Sequence, residues 1–143
     1  MTQKWQTTGA SVIGPSHISK QMPNQDAFLY REIEDATYVL TVSDGHGGKS
    51  HPNSHIGSKV AVEITTEIIT QYYQISGASR TMPQLRYDFE QTLSKDIHRT
   101  WLERIRSDET YNSDDALSGD VAYGCTLIAD RKSTRLNSSH GII

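Results

Sequence analysis

The chain is short of cysteine, of surplus positive charge and of long apolar runs, and each shortage removes a class of function. One of its 143 residues is a cysteine, Cys125. No internal disulfide can form, and a reducing, cytoplasmic setting is expected. Lys and Arg number 14 against 17 Asp and Glu, a formal charge of −3. The basic residues form no stripe of the kind that follows a nucleic-acid backbone. No apolar stretch approaches the roughly 20 residues that cross a bilayer. Met1–Ala10 is polar and lacks the apolar centre of a signal peptide. Neither nucleic acid nor a membrane is therefore expected as a partner. There are no internal repeats, and the length suits one small domain.

What is present reads as three strand signals, then two helix signals, then one more strand. Thr7–Ile13 predicts a first strand, closed by Gly14-Pro15, and Ser16–Asn24 a polar loop carrying His17 and Lys20. Asp26–Ile33 and Tyr38–Ser43 predict two further strands. The short Glu34-Asp35 connection makes them an antiparallel hairpin. A helix is expected from Asn53 or Ser54 to just before Gly77, with an apolar stripe at Ile56, Val60, Ile64, Ile68 and Tyr72. Thr81 and Pro83 open a second, long helix whose stripe, Leu85, Phe89, Leu93, Ile97, Trp101 and Ile105, is again spaced by four. Trp101 is placed in the core, and the two helices are expected to pair antiparallel. Ser107–Asp120 reads as an acidic surface loop, and Val121–Ala129 as a last strand containing Cys125 as a small core residue. Consecutive strands followed by helices argue for an α+β fold with an antiparallel sheet. The helices cover one face of that sheet and leave the other without a partner in this sequence.

The stretch Ser43-Asp44-Gly45-His46-Gly47-Gly48 carries the chemistry. It puts a carboxylate at the end of an apolar strand, followed by a glycine-rich turn. A fixed carboxylate beside exposed backbone carbonyls suits a hard cation such as Mg²⁺ or Mn²⁺. Asn24-Gln25-Asp26 supplies a second acidic position upstream. His46, His51 and His55 raise the thought of zinc, but Pro52 interrupts the pair at a helix start and no fourth soft ligand is near.

With Gly124-Cys125-Thr126 added, these motifs resemble the N-terminal half of the PP2C-type family of metal-dependent serine/threonine protein phosphatases, from about Ser11 to Ala129. The resemblance implies the first part of an αββα sandwich with antiparallel sheets, truncated. It also implies hydrolysis of phosphoserine and phosphothreonine in a protein substrate by a water bridging two Mn²⁺ or Mg²⁺ ions. Carried over residue by residue, Asp44 matches the bridging metal ligand and the Gly45 carbonyl a backbone ligand. Asp26 matches an acid near the second ion, and His46 the general acid to the leaving oxygen. Two departures stand out. Gln25 occupies a position that is often acidic, and Gln21 one that is often a phosphate-binding arginine. Lys20 or His17 is the available substitute at that second position. These departures admit a second reading, a non-catalytic relative that binds phosphoproteins or regulates. A third keeps the chemistry but takes small phosphate esters. Asp130–His140 resembles the in-frame translation of a sequencing adapter. The expected organisation is therefore an N-terminal portion of a phosphatase domain at 1–129 and a non-native tail at 130–143, with the fragment itself poorly active because further metal-binding aspartates are missing.

Overall fold

The computed structural model describes residues 5–34, 36–133 and 139–142, the last four by their backbone. Four antiparallel strands form one sheet in the order β1-β2-β3-β4: Ala27–Glu34, Thr37–Gly45, Cys125–Ser133 and Ser139–Ile142. A short helix, α1 (Pro15–Ser19), precedes the sheet. Between β2 and β3 the chain makes α2 (Ser54–Ile75) and then one continuous helical run. That run consists of α3 (Met82–Asp88), a π-turn at Phe89–Leu93, and α4 (Ser94–Arg106). The α+β class and the β1–β2 hairpin are as expected from the sequence.

The side chains of alternate residues divide the sheet into two unlike faces. Val39, Leu127 and Ala129 point toward α2 and join Ala61, Ile64 and Ile69 in the main core. Tyr30, Val42 and Ile128 lie on the other face and are exposed. This is the uncovered face that the element count foretold.

The expected stripe on α2 describes only half of that helix. Ile64 is buried, while Ile56, Val60, Ile68 and Tyr72 are half-buried against the two core clusters. The rest of the buried surface of α2 mixes Val62 and Ile69 with Ser54, Ser58, Ala61, Thr65, Thr66 and Thr70. Hydroxyls can line a core when they are hydrogen-bonded, and all but Thr65 Oγ1 are. Thr66 donates to the Val62 carbonyl at 2.8 Å and meets the Thr41 hydroxyl at 3.1 Å, while Thr70 donates to the Thr66 carbonyl at 2.6 Å. Small side chains let the helix lie close to the strands, so α2 is covered on both sides.

The long helical run keeps its stripe by changing pitch. Positions spaced by four drift about 40° per step around an ideal α-helix. The π-turn holds an extra residue per turn and takes up that drift. Phe89, Leu93 and Ile97 therefore share the main core. Beyond the turn the drift resumes. Trp101 is half-buried rather than fully in the core, with its indole N–H donated to the Gly57 carbonyl at 2.9 Å, and Ile105 belongs to a second cluster with Ala122 and Tyr123. The Gly57–Trp101 contact and the edge-to-face pair Tyr72–Phe89 fix the two helices as antiparallel. Thr81 donates its N–H to Gln84 at 2.9 Å at the start of the run.

Other expectations are corrected. Thr7–Ile13 is not a strand; Thr8–Val12 instead lines a groove on the open face of the sheet. The Ser16–Asn24 loop contains most of α1. The last strand does not begin at Val121, because Asp120–Tyr123 is a 3₁₀ turn that buries Tyr123. Nor does it stop at Ala129. Leu127, Ala129 and Arg131 continue the inward alternation, with the Arg131 guanidinium stacked 5.2 Å over the Tyr73 ring. Of the tail singled out in the sequence, 134–138 and 143 lie outside the described residues, as does Asp35 of the hairpin turn.

Candidate active site

The β1–β2 register builds the site. Ala27 pairs with Ser43, so Asp26, one residue before β1, faces Asp44 near the end of β2. On the other side Asp44 pairs with Thr126 of β3. Asp26, Asp44 and Thr126 thus form a row across three strand ends on the open face. They border a groove of about 580 Å³ that runs over Phe28, Tyr30, Leu40 and Val42. A carboxylate beside a second one is harder to ionise. Partial desolvation, and then the charge and hydrogen bond of Asp44, push the Asp26 carboxyl up from its ordinary value. His17 and the Gly45 N–H pull the other way.

The supports below this pair are tight. Gly45 donates its N–H to the Gln25 carbonyl at 3.1 Å. A Cβ on Gly45 would lie 2.5 Å from that carbonyl oxygen and 3.1 Å from the Ser54 carbonyl oxygen, so only glycine fits between β1 and α2. The Gln25 carbonyl also accepts the Ser58 hydroxyl at 2.5 Å, and its side-chain amide donates to Ser54 Oγ at 2.8 Å. Gln25 is therefore buried toward the helix. The side chain that stands where an acid was expected does not face the carboxylates. Asn53, expected to cap α2, turns its amide to Thr110 Oγ1 at 3.3 Å instead.

The remaining candidates divide. His17 on α1 is half-buried and close enough to act on Asp26. Lys20 is exposed at the C-terminal cap of α1, and Gln21 follows it with φ +54°. His46 is exposed on the loop after β2, its N–H donated to the Gly124 carbonyl at 2.9 Å. Cys125 lies on the core face, and burial pushes its thiol up from the ordinary value, as suits a core residue. Sequence reasoning missed the Gln25–Ser54–Ser58 brace, the place of Thr126 beside Asp44, and the closeness of His46 to His51. The i, i+4 spacing of Ser54 and Ser58 was the one available signal for the first.

Among the described residues no group of three or more His, Cys, Asp or Glu converges to hold a metal ion. Two exposed carboxylates side by side still fit a hard divalent cation, since Mg²⁺ keeps several waters and takes one or two carboxylates.

The sequence model of the family described as protein phosphatase 2C matches residues 13–135. The chain belongs to that family. The match spans α1, the hairpin, both helices and all of β3, so every side chain of the site lies inside the family region. Neither a curated protein nor a solved structure matches the chain significantly. Membership gives a phosphatase-related function, in a family that generally uses Mn²⁺ or Mg²⁺.

Proposed function

We propose that this is the N-terminal part of a protein serine/threonine phosphatase that hydrolyses phosphate monoesters with the help of two Mn²⁺ or Mg²⁺ ions. Its sheet would be the first of the two in an αββα sandwich. The observation that carries the reading is the register that sets Asp26 against Asp44 at the strand ends. Divalent cations bound there supply Lewis acidity and an activated water nucleophile at neutral pH. Asp44 and Asp26 are the holding carboxylates, with the Gly45 carbonyl as a backbone donor. Their mutual repulsion in the metal-free chain is what a cation would relieve. His46, on the loop leaving β2, would give a proton to the departing seryl or threonyl oxygen. His17, already within electrostatic reach of Asp26, is the better candidate than Lys20 for contact with substrate phosphate. The substrate is a phosphoserine or phosphothreonine protein, and the setting cytoplasmic. Gln25, one of the two residues, with Gln21, that admitted a non-catalytic reading, is occupied by Ser54 and leaves the carboxylate row untouched.

The test is Asp44→Asn. It is expected to lower Mn²⁺-dependent phosphate release from a phosphoserine peptide about 100-fold or more, in line with losing a principal electrostatic group. Mn²⁺ should also raise the melting temperature of the unsubstituted chain, and should not raise that of the variant. Undiminished metal uptake and turnover in the variant would refute the reading.

A further inference from the structure

We propose that His51 is a positioning residue for His46, fixing the imidazole that the phosphatase reading makes the general acid; the inference rests on that reading. The two rings lie 5.1 Å apart, centre to centre, tilted by 41°. His46 sits among Gly45, Gly47 and Gly48, where the backbone by itself does little to orient a side chain. His51 is held. Its Nδ1 lies 2.6 Å from the Val121 carbonyl oxygen. A carbonyl only accepts, so His51 Nδ1 carries a proton and donates it to Val121. Its backbone N–H closes the loop onto the Gly48 carbonyl at 3.2 Å.

Both rings lean on Gly124. A Cβ there would lie 2.9 Å from His46 Cδ2 and 3.1 Å from His51 Nδ1. The turn that offers these contacts is itself anchored, since Asn53 donates its N–H to the Ala122 carbonyl at 3.0 Å and Tyr123 is fully buried. The 3₁₀ turn, Gly124 and His51 thus make a rigid seat for the His46 ring beside the strand ends.

The role separates from a bracing role by leaving group. An alkoxide leaves poorly without a proton, whereas p-nitrophenolate leaves well without one. With Mn²⁺ present, His51→Ala should lower turnover of a phosphoserine peptide about 10-fold, a part of what general-acid catalysis supplies. It should lower p-nitrophenyl phosphate turnover no more than about 2-fold. His51→Asn keeps an N–H for Val121 and should recover most of the loss. Equal losses on both substrates, or none on either, would overturn the role. Imidazole ¹⁵N spectra of the 143-residue chain decide the geometry with no turnover at all. They should show the Nδ1–H tautomer at His51. In His51→Ala, the His46 χ1 couplings should become rotamer-averaged while the Asp44 and Gly45 amide signals stay in place. An Nε2–H tautomer at His51, or an unchanged His46, overturns the proposal. A chain too weakly active to assay, as the missing metal-binding aspartates lead one to expect, leaves the spectra to decide the positioning role.

Discussion

Asp26 stands beside a second carboxylate and is partly stripped of water, and the metal-free fold bears the cost of its charge. Its carboxyl titrates above its ordinary value, first from desolvation and then from Asp44. A carboxyl raised in the folded state contributes stability that is complete below the unfolded value, near 3.8, and is lost as pH rises through the folded value. Asn mimics the protonated form at every pH. Asp26→Asn should therefore match the wild type in thermal unfolding near pH 3, then become the more stable of the two as pH rises toward neutral, without metal. Added Mn²⁺ should narrow the gap by stabilising only the wild type. A variant less stable than wild type at pH 7 would show that the two carboxylates do not repel in the folded chain. Asp108 shifts the opposite way, because it accepts the hydroxyl and N–H of Thr110 and the hydroxyl of Tyr123. It helps hold the acidic loop onto the turn beneath His51.

At the scale of elements, Gly57 is the point where α2, α4 and the 3₁₀ turn meet. Its carbonyl accepts the Trp101 indole, and a Cβ on it would fall 1.8 Å from the Tyr123 carbonyl oxygen. Alanine is ordinarily better than glycine in a helix by about 1 kcal/mol. Here the clash is with backbone and decides the sign, so Gly57→Ala should destabilise the chain by about 1–3 kcal/mol in urea unfolding. Stabilisation instead would mean that the turn is not seated on α2. The long helices were legible because a spacing of four survives in the sequence, and the π-turn that preserves its phase was not. The hairpin was legible too, but its register was not. Glu34 pairs with Thr37 while Ala27 pairs with Ser43, because a bulge near Glu32 shifts the count by one. Counting from the turn would set Asp26 against Gly45 and hide the carboxylate pair. Only the motif resemblance joined Asp26 to Asp44 in advance. Val121 misled as a strand residue because apolar character alone does not separate a strand from a 3₁₀ turn. The strand's continuation past Ala129 was not legible because a charged residue, Arg131, takes an inward position, its planar head over Tyr73.

For the whole molecule, the decisive asymmetry is between the two faces of the sheet. Val39 is 0% exposed beneath α2, whereas Val42, three residues on and on the opposite face, is 49% exposed. Tyr30 and Ile128 flank it at 44% and 49%. The carboxylate row lies at the strand ends of that open face, so whatever covers the face also sets how much water reaches Asp26 and Asp44. A carboxylate pair in lower dielectric repels more strongly and gains more from a cation. Covering the sheet and loading the site are thus coupled through the same strands, and the coupling can be read from paired substitutions. Val39→Ala removes fully buried methyl groups and should cost about 2 kcal/mol. Val42→Ala should stay within about 0.5 kcal/mol, as surface changes do. Both are measured as urea midpoints of the same chain. Equal costs would mean that the outer face is buried when the chain folds, and the carboxylate row with it.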